Sequence, residues 1–159
     1  MKMKMKEEKE EDRRNLLMLA ECACNVSRGK WLATMLQLGA QALQPVCHKT
    51  LTPSDTEPHL NRLALPKTQV NNQIFPLLTE AEIRRVEEEG GLELCAFDKE
   101  GRAWNLIFKY WKSSQTYVLI DEWMGMVVRN GWRSHTDALT VWCFRHGFNG
   151  SLCFVILNH

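Results

Sequence analysis

Trp104-Asn105-Leu106-Ile107-Phe108-Lys109-Tyr110-Trp111-Lys112-Ser113-Ser114-Gln115-Thr116-Tyr117-Val118-Leu119-Ile120-Asp121-Glu122-Trp123 is the stretch on which the reading of this chain turns. Residues 104–111 and 117–120 are rich in aromatic and β-branched side chains, which suit a pleated, half-buried surface. Between them, Lys112-Ser113-Ser114-Gln115 supplies the small polar residues that turns use. The pattern predicts a β-hairpin with polar groups at its tip. A lysine there can meet a phosphate, a glutamine can pair with an adenine edge through two hydrogen bonds, and serines can bond to either. An ordinary surface hairpin is the plainer reading of the same residues.

Outward from the hairpin, more strands are expected. Leu92 to Phe97 alternates apolar and polar residues, and Asp98-Lys99-Glu100-Gly101 makes a turn into Trp104. Downstream, Asp121 is expected to cap a short helix through Trp123, Met126 and Val127 that Asn130-Gly131 closes. Ala138 to Phe144 and Leu152 to Leu157 read as two further strands. Upstream, Thr79 and Glu82 spell a capping box for a helix that Gly90-Gly91 ends. Cys47 to Thr52 and Arg62 to Leu65 are short strand candidates separated by the turn Pro53-Ser54-Asp55, and Thr68 to Gln73 reads as a polar connection. Some seven short strands with two short helices place residues 45–159 in the all-β class, as a barrel or sandwich.

Pro45 is taken as the boundary of that domain. Residues 1–44 read as a charged, partly helical extension. Residues 1–14 are dense in Lys, Glu and Arg and are expected to be solvated. From about Asn15 to Gln44, Leu16, Leu19, Ala20, Ala23, Trp31, Leu32, Met35 and Leu36 recur at helical spacing, with Gly29 and Gly39 as interruptions. Such a segment either pads the domain or offers an amphipathic face to a protein partner.

The chain has 159 residues, of which 45% are hydrophobic, and no run approaches the ~20 apolar residues of a membrane span. The apolar segment Leu16–Ala20 is hemmed in by Asp12, Arg13, Arg14 and Glu21 and makes a poor secretory signal, so an intracellular protein is expected. Among six cysteines there is no Cys-x-x-Cys pair. Cys95, Cys143 and Cys153 lie in apolar runs and read as small core residues. Cys22, Cys24, Cys47 and His48 match no common zinc spacing, so no metal or cofactor is expected. His135, Asp137, Cys143 and His146 are close in sequence, but no nucleophile motif surrounds them and an enzyme is not expected. Residues 1–47 carry 8 Lys/Arg against 6 Asp/Glu, and residues 48–159 carry 12 against 13. Contact with nucleic acid therefore requires a local patch, with the acids between Glu80 and Glu100 turned away from it.

Several stretches in order resemble one family. Thr52-Pro53-Ser54-Asp55, Leu60-Asn61-Arg62-Leu63, Leu65-Pro66-Lys67, Phe75-Pro76-Leu77, Trp104…Tyr110-Trp111, Ser113 to Leu119 and Asp137 to Arg145 are together similar to the plant B3 DNA-binding domain. The resemblance runs from about Val46 to Leu157. It implies a seven-stranded open β-barrel with two short helices, which straddles the DNA major groove with two arms. Carried onto this chain, Lys49, Ser54, Arg62 and Lys67 belong to one arm, and Trp111, Lys112, Ser113, Ser114 and Gln115 to the other. Asp55 is expected to orient Arg62 or a turn amide. Arginine can grip a guanine edge or a phosphate, and lysines act as point charges.

The chain also departs from the family. Thr56-Glu57-Pro58-His59 is one residue longer than usual and holds an acid where lysine is common. Ile107 stands where an arginine is usual and Lys112 where asparagine is, while Arg133 to Asp137 has one extra residue, with Thr136 in place of glycine. These changes imply an altered base preference and a larger share of salt-sensitive phosphate contact. The expectation is a nuclear, sequence-specific double-stranded DNA-binding protein in transcription, with no membrane and no small-molecule substrate. The competing expectation is a B3-like protein-interaction module without base readout.

Overall fold

The computed structural model describes residues 9–11 and 30–159. The expected helix start at Asn15, the basic residues Lys2, Lys4, Lys6, Arg13 and Arg14, and Cys22 and Cys24 lie outside the described residues. Seven strands make one sheet: β1 (Gln41–Thr50), β2 (Leu63–Leu65), β3 (Leu92–Phe97), β4 (Ala103–Trp111), β5 (Thr116–Asp121), β6 (Ala138–Arg145) and β7 (Leu152–Asn158). Their order is β1-β6-β7-β3-β4-β5-β2. Only β3 and β7 run parallel, and the sheet curls into a half-barrel, as the all-β reading expected.

The hairpin forms where the opening stretch placed it. β4 and β5 pair from Leu106↔Asp121 to Trp111↔Thr116, leaving residues 112–115 as the tip. Inward-facing Leu106, Phe108, Tyr117 and Leu119 join Leu51, Leu63, Trp123 and Phe154 in the barrel interior. Each large aliphatic or aromatic side chain buried there contributes roughly 1.5–3 kcal/mol of transfer free energy. The capping box also forms: Glu82 N–H donates to Thr79 Oγ1 at 3.2 Å, Thr79 N–H donates to Glu82 Oε1 at 2.9 Å, and α2 runs Glu80–Glu87 behind them.

Three expectations are corrected. Residues 41–44 are not helical but open β1, and Pro45 lies within that strand between two register shifts. β1 ends the sheet order, so the missing proline N–H costs no ladder bond on its open side. The 68–73 connection is helical in part: Lys67–Gln69, Val70–Ile74 and Phe75–Leu77 form one irregular helical segment that buries Val70 and Ile74. Asp121 does not cap α3 (Trp123–Asn130). It is the last residue of β5 at φ 78°, and Asn61 supplies the cap from another loop, its Oδ1 accepting from Met124 N–H at 2.9 Å. Gly131 ends α3 at φ 66°, the left-handed conformation expected of it.

The outside of the sheet bears on the two readings of the helical segment and, for residues 31–37, favours padding. α1 (Trp31–Gln37) packs Trp31 and Met35 against Phe97, Trp142, Phe144 and Val155, a second apolar cluster on the outer face. Trp31 N–H donates to Lys99 O at 3.1 Å and Gly147 N–H to Leu38 O at 2.9 Å, so both ends of the helix are fastened. A side chain at Gly147 would run into the backbone of Gly39. The buried face of α1 is thus spent on this domain's own sheet and is not a free partner-binding face.

Candidate nucleic-acid interface

The first arm leaves β1 at Leu51 and returns at β2, and its centre is a carboxylate. Asp55 is fully buried, and it accepts from Thr52 N–H and Thr52 Oγ1 at 2.9 Å each and from Ala64 N–H at 3.1 Å. Lys49 Nζ lies 2.9 Å and Arg62 Nη1 3.0 Å from its oxygens. Lys49 also donates to Ala64 O. Two cations on one carboxylate leave the cluster with one positive charge in excess. Both cationic side chains are 15% exposed.

This cluster also closes the barrel. β1 and β2 are the two ends of the strand order and share no ladder. Side chains from Lys49 and Asp55 bond to Ala64 in place of a backbone partner. Beside them the Gln69 amide mimics a strand: its Oε1 accepts from His48 N–H at 2.7 Å and its Nε2 donates to His48 O at 3.1 Å. Asp55 O accepts the indole N–H of Trp123 at 2.8 Å, and Asn61 Nδ2 donates to Asp121 O at 2.9 Å. The arm is therefore anchored to β5 and α3 as well as to β1.

The second arm is the hairpin tip. Lys112, Ser113, Ser114 and Gln115 are exposed and Trp111 half-buried at its base. Among the described residues its one side-chain hydrogen bond runs from Thr116 Oγ1 to Ser114 O at 3.0 Å. Gln115 sits at φ 53°, a left-handed conformation uncommon for a side chain of this kind. Lys67 is exposed beyond Leu65, whose partner is Tyr117, so it lies toward the tip rather than toward Arg62.

The structure thus brings Lys49, Arg62 and Asp55 together, with Ser54 adjoining through a 3.1 Å contact to Thr52 Oγ1, and it gathers Trp111, Lys112, Ser113, Ser114 and Gln115 separately. At about 3.4 Å per strand residue, Arg62, next to the Leu63↔Leu119 pair, lies roughly 17 Å along β5 from the tip.

The acids are not all turned away. Glu87 and Glu88 line a shallow groove of about 330 Å³ with Lys109, Trp111, Lys112 and Ser113. Tyr117 donates its hydroxyl to Glu87 Oε1 at 2.7 Å, and burial, followed by that bond and the Glu87 charge, pushes the phenol well above its ordinary value. The hairpin base is thereby pinned to the end of α2, at the cost of negative charge near Lys112.

Two buried groups bear on other chemistries. Burial pushes the Cys143 thiol up to about 12, so it is a core residue and not a nucleophile poised at neutral pH. Cys47 packs in the barrel interior. Among the described residues no three histidine, cysteine or acidic side chains gather as a metal site, and no helix is long and apolar enough to cross a membrane.

A seven-stranded, curled half-barrel sheet with few helices is the architecture of a B3-type domain. The family model described as "B3 domain-containing protein At2g31720-like" matches residues 24–159, and the chain belongs to that B3 domain family. It is similar to B3 domain-containing protein At2g36080 of Arabidopsis thaliana, 42% identical over 108 residues that cover 67% of this chain and 41% of the relative. It is similar also to putative B3 domain-containing protein At4g03170 of the same species, at 32% over 68% of this chain and 42% of the relative. The chain therefore spans about two fifths of the length of these relatives. Among solved structures it resembles the Arabidopsis thaliana transcription factor LEC2–DNA complex, with a TM-score of 0.51 and 25% identity, over 73% of this chain and 93% of that one. The Arabidopsis FUS3–DNA complex, at TM-score 0.51 and 22% identity, covers 73% and 97% respectively and shares the fold.

Asp55 was expected to orient Arg62 or a turn amide and does both, whereas its bonds to Lys49 and Ala64, and the two amides Asn61 and Gln69 that tie the arm down, were missed. A signal existed for Asn61. It adopts φ 44°, a conformation asparagine tolerates better than most residues, and it directly precedes the arm's arginine.

Proposed function

We propose that this chain binds double-stranded DNA as a plant transcription regulator in the nucleus, holding the major groove between its two arms and performing no catalysis. The observation that carries this reading is the hairpin tip, where four consecutive exposed polar side chains have no side-chain partner among the described residues. The resemblance to a chain solved in complex with DNA supports it, as do relatives named as a B3 transcription factor and as a transcription repressor. Two arms about 17 Å apart would bracket a major groove about 12 Å wide. In this reading Arg62 and Gln115 touch base edges, while Lys67 and Lys112 meet phosphates. Lys49 acts from within by holding Asp55, Ser54 bonds at the groove edge, Trp111 packs on sugar, and Ser113 and Ser114 adjust the fit of the tip.

Enrichment from a random duplex pool with the full chain tests it. A recovered motif that Arg62→Ala or Gln115→Ala weakens is the expected result. Equal, salt-sensitive binding to selected and scrambled duplexes would reduce the arms to phosphate holders. Absence of binding at low salt would favour the protein-interaction module, a reading to which the acids at Glu87 and Glu88 already lend some weight.

A further inference from the structure

We infer that the loop joining α3 to β6, together with the ends of β1 and β7 beside it, forms a third contact surface. It is an arginine and histidine rim that holds phosphates of the same duplex next to the first arm, and holds them more tightly below neutral pH. The inference rests on the DNA-binding reading above.

The first support is continuity with the arm. Leu51, the residue before the arm's Thr52, donates its N–H to Asp137 O at 2.9 Å and accepts His135 N–H at 2.7 Å. The loop thus extends the β1–β6 ladder outward and is tied to the start of the arm. Its side chains are free to act. Arg133 and His135 are exposed, and neither side chain has a partner among the described residues. His135 stands at φ 62°, a conformation that turns the chain sharply at the loop's apex. Asp137 is turned back into the loop, where its oxygens accept Arg133 N–H at 2.6 Å and Asn158 Nδ2 at 3.4 Å.

The second support is where the histidines gather. Of the five in the chain, His48, His59, His135 and His159 lie at this end and only His146 at the other. His48 Nδ1 lies 3.1 Å from Thr140 Oγ1, and His159 Nε2 bonds the same hydroxyl. The two rings stack with centroids 6.1 Å apart, and His159 N–H donates to Ala138 O at 3.0 Å, where β6 leaves the loop. The charged groups around the rim are Arg133 and Asp137 on the loop, the Lys49–Asp55–Arg62 cluster on the arm, and Glu57, whose Oε1 accepts His59 N–H at 3.2 Å.

The chemistry follows from these placements. A neutral imidazole is a weak phosphate ligand, whereas an imidazolium offers two N–H donors and a charge, and free histidine changes between them near pH 6.5. When neutral, one ring of the His48–His159 pair donates to the Thr140 hydroxyl and the other accepts from it. When both are protonated, the hydroxyl accepts from both and the rings repel, so an anion beside them is favoured. Phosphate binding and proton uptake are therefore linked at this rim.

Fluorescence anisotropy of the full chain with a short duplex, at pH 7.5 and 5.8 and several salt concentrations, reads the effect. The expected result is about tenfold tighter binding at the lower pH, with a salt slope steeper by about one to two phosphate contacts. The H48Q/H135Q/H159Q variant should lose most of the gain in binding that the parent shows between pH 7.5 and 5.8, with thermal midpoints confirming that it folds. Arg133→Gln should weaken binding severalfold at both pH values. Equal parental affinity at both pH values would overturn the rim and leave the DNA-binding reading standing. The same follows if the triple variant keeps its pH dependence, or if His59→Gln alone abolishes it. No duplex binding at either pH would overturn both.

Discussion

In the first arm five donor groups end on the carboxylate of Asp55, two of them cationic, and the arm's backbone is tied to β5 and α3 besides. In the second arm a single side-chain bond crosses the tip, and what holds the loop is the register of β4 against β5. Both arms present polar groups outward, but they reach that state by opposite means. The first is built from the inside, so its exposed chemistry depends on a buried charge. The second is carried on a rigid stem, so its side chains can change without the fold noticing. Under the proposed DNA-binding reading, one arm has little freedom to lose on binding and the other can adapt.

The largest expected effect breaks the first arm. Asp55→Ala leaves Lys49 and Arg62 without their carboxylate and orphans Thr52 and Ala64 amides, which costs about 3–5 kcal/mol by the measure of broken buried ion pairs. Ser113→Ala and Ser114→Ala in the tip should stay within about 0.5 kcal/mol of the parent. Urea unfolding of the three variants decides it. An Asp55→Ala protein as stable as the tip variants would show that the arm is not built around that carboxylate.

Next in size is Arg62→Ala, which should act on both properties at once. Removing one charge-assisted hydrogen bond costs stability about 1.5–3 kcal/mol, and losing a base contact costs binding about 1–3 kcal/mol. Lys67→Ala, exposed and without a partner among the described residues, should lower binding and leave the unfolding curve unmoved. If Arg62→Ala weakened binding alone, the arginine would be a free reader, and its bond to Asp55 would carry no structural weight.

The contrast between the arms also explains what could be read in the sequence. The hairpin and α2 were legible because each is set by neighbours in the chain: alternating residues around Lys112 to Gln115, and Thr79 with Glu82 three places on. In the first arm the pairing of Asp55 with Arg62 and a turn amide was legible, but its bonds to Lys49 and Ala64 were not, because these residues meet across a seam that no local pattern encodes. Pro45 looked like a boundary and proved to be an edge-strand residue, which only the sheet order reveals. The outer cluster did leave a trace. Val141-Trp142-Cys143-Phe144 is apolar at every position, too much for a strand with one wet face, and α1 supplies the cover that run requires.

A third loop repeats the first arm's construction and tests whether it is general. Asp98 is fully buried and accepts from Arg102 Nε at 2.8 Å, Trp104 Nε1 at 3.0 Å and Asn130 Nδ2 at 3.1 Å. Burial works to raise its pKa, but the bonds from Trp104, Asn130 and Arg102 outweigh it and hold the carboxyl below its ordinary 3.8. The Arg145 fork holds Glu82 below 4.5 in the same way, against its own burial. Depressed carboxyl values mean that the folded state binds fewer protons than the unfolded one. This stabilisation is complete above about pH 5, where the unfolded carboxyls are ionised, and is lost as pH falls through the depressed values. Unfolding free energy measured from pH 7 to 3 should fall toward the acid end. Asp98→Asn should start lower and fall less steeply, and an unchanged acid slope would remove Asp98 from the account.

The smallest expected effect separates side chain from backbone in the second arm. Gln115 occupies φ 53°, which glycine adopts freely and other residues only with strain. Gln115→Gly relieves that strain but frees the unfolded chain, so stability should change by less than about 1 kcal/mol. Gln115→Ala keeps the strain without the side chain and should be the less stable of the two. If the amide reads a base edge, both variants lose the same preference between selected and scrambled duplexes, whatever their stability. If instead the fixed shape of the turn positions Lys112 and the serines, Gln115→Ala keeps the parent's binding and only the flexible Gln115→Gly loses it. The first outcome makes the tip a reader built on a stem. The second would make it, like the first arm, a contact whose function depends on how rigidly it is held.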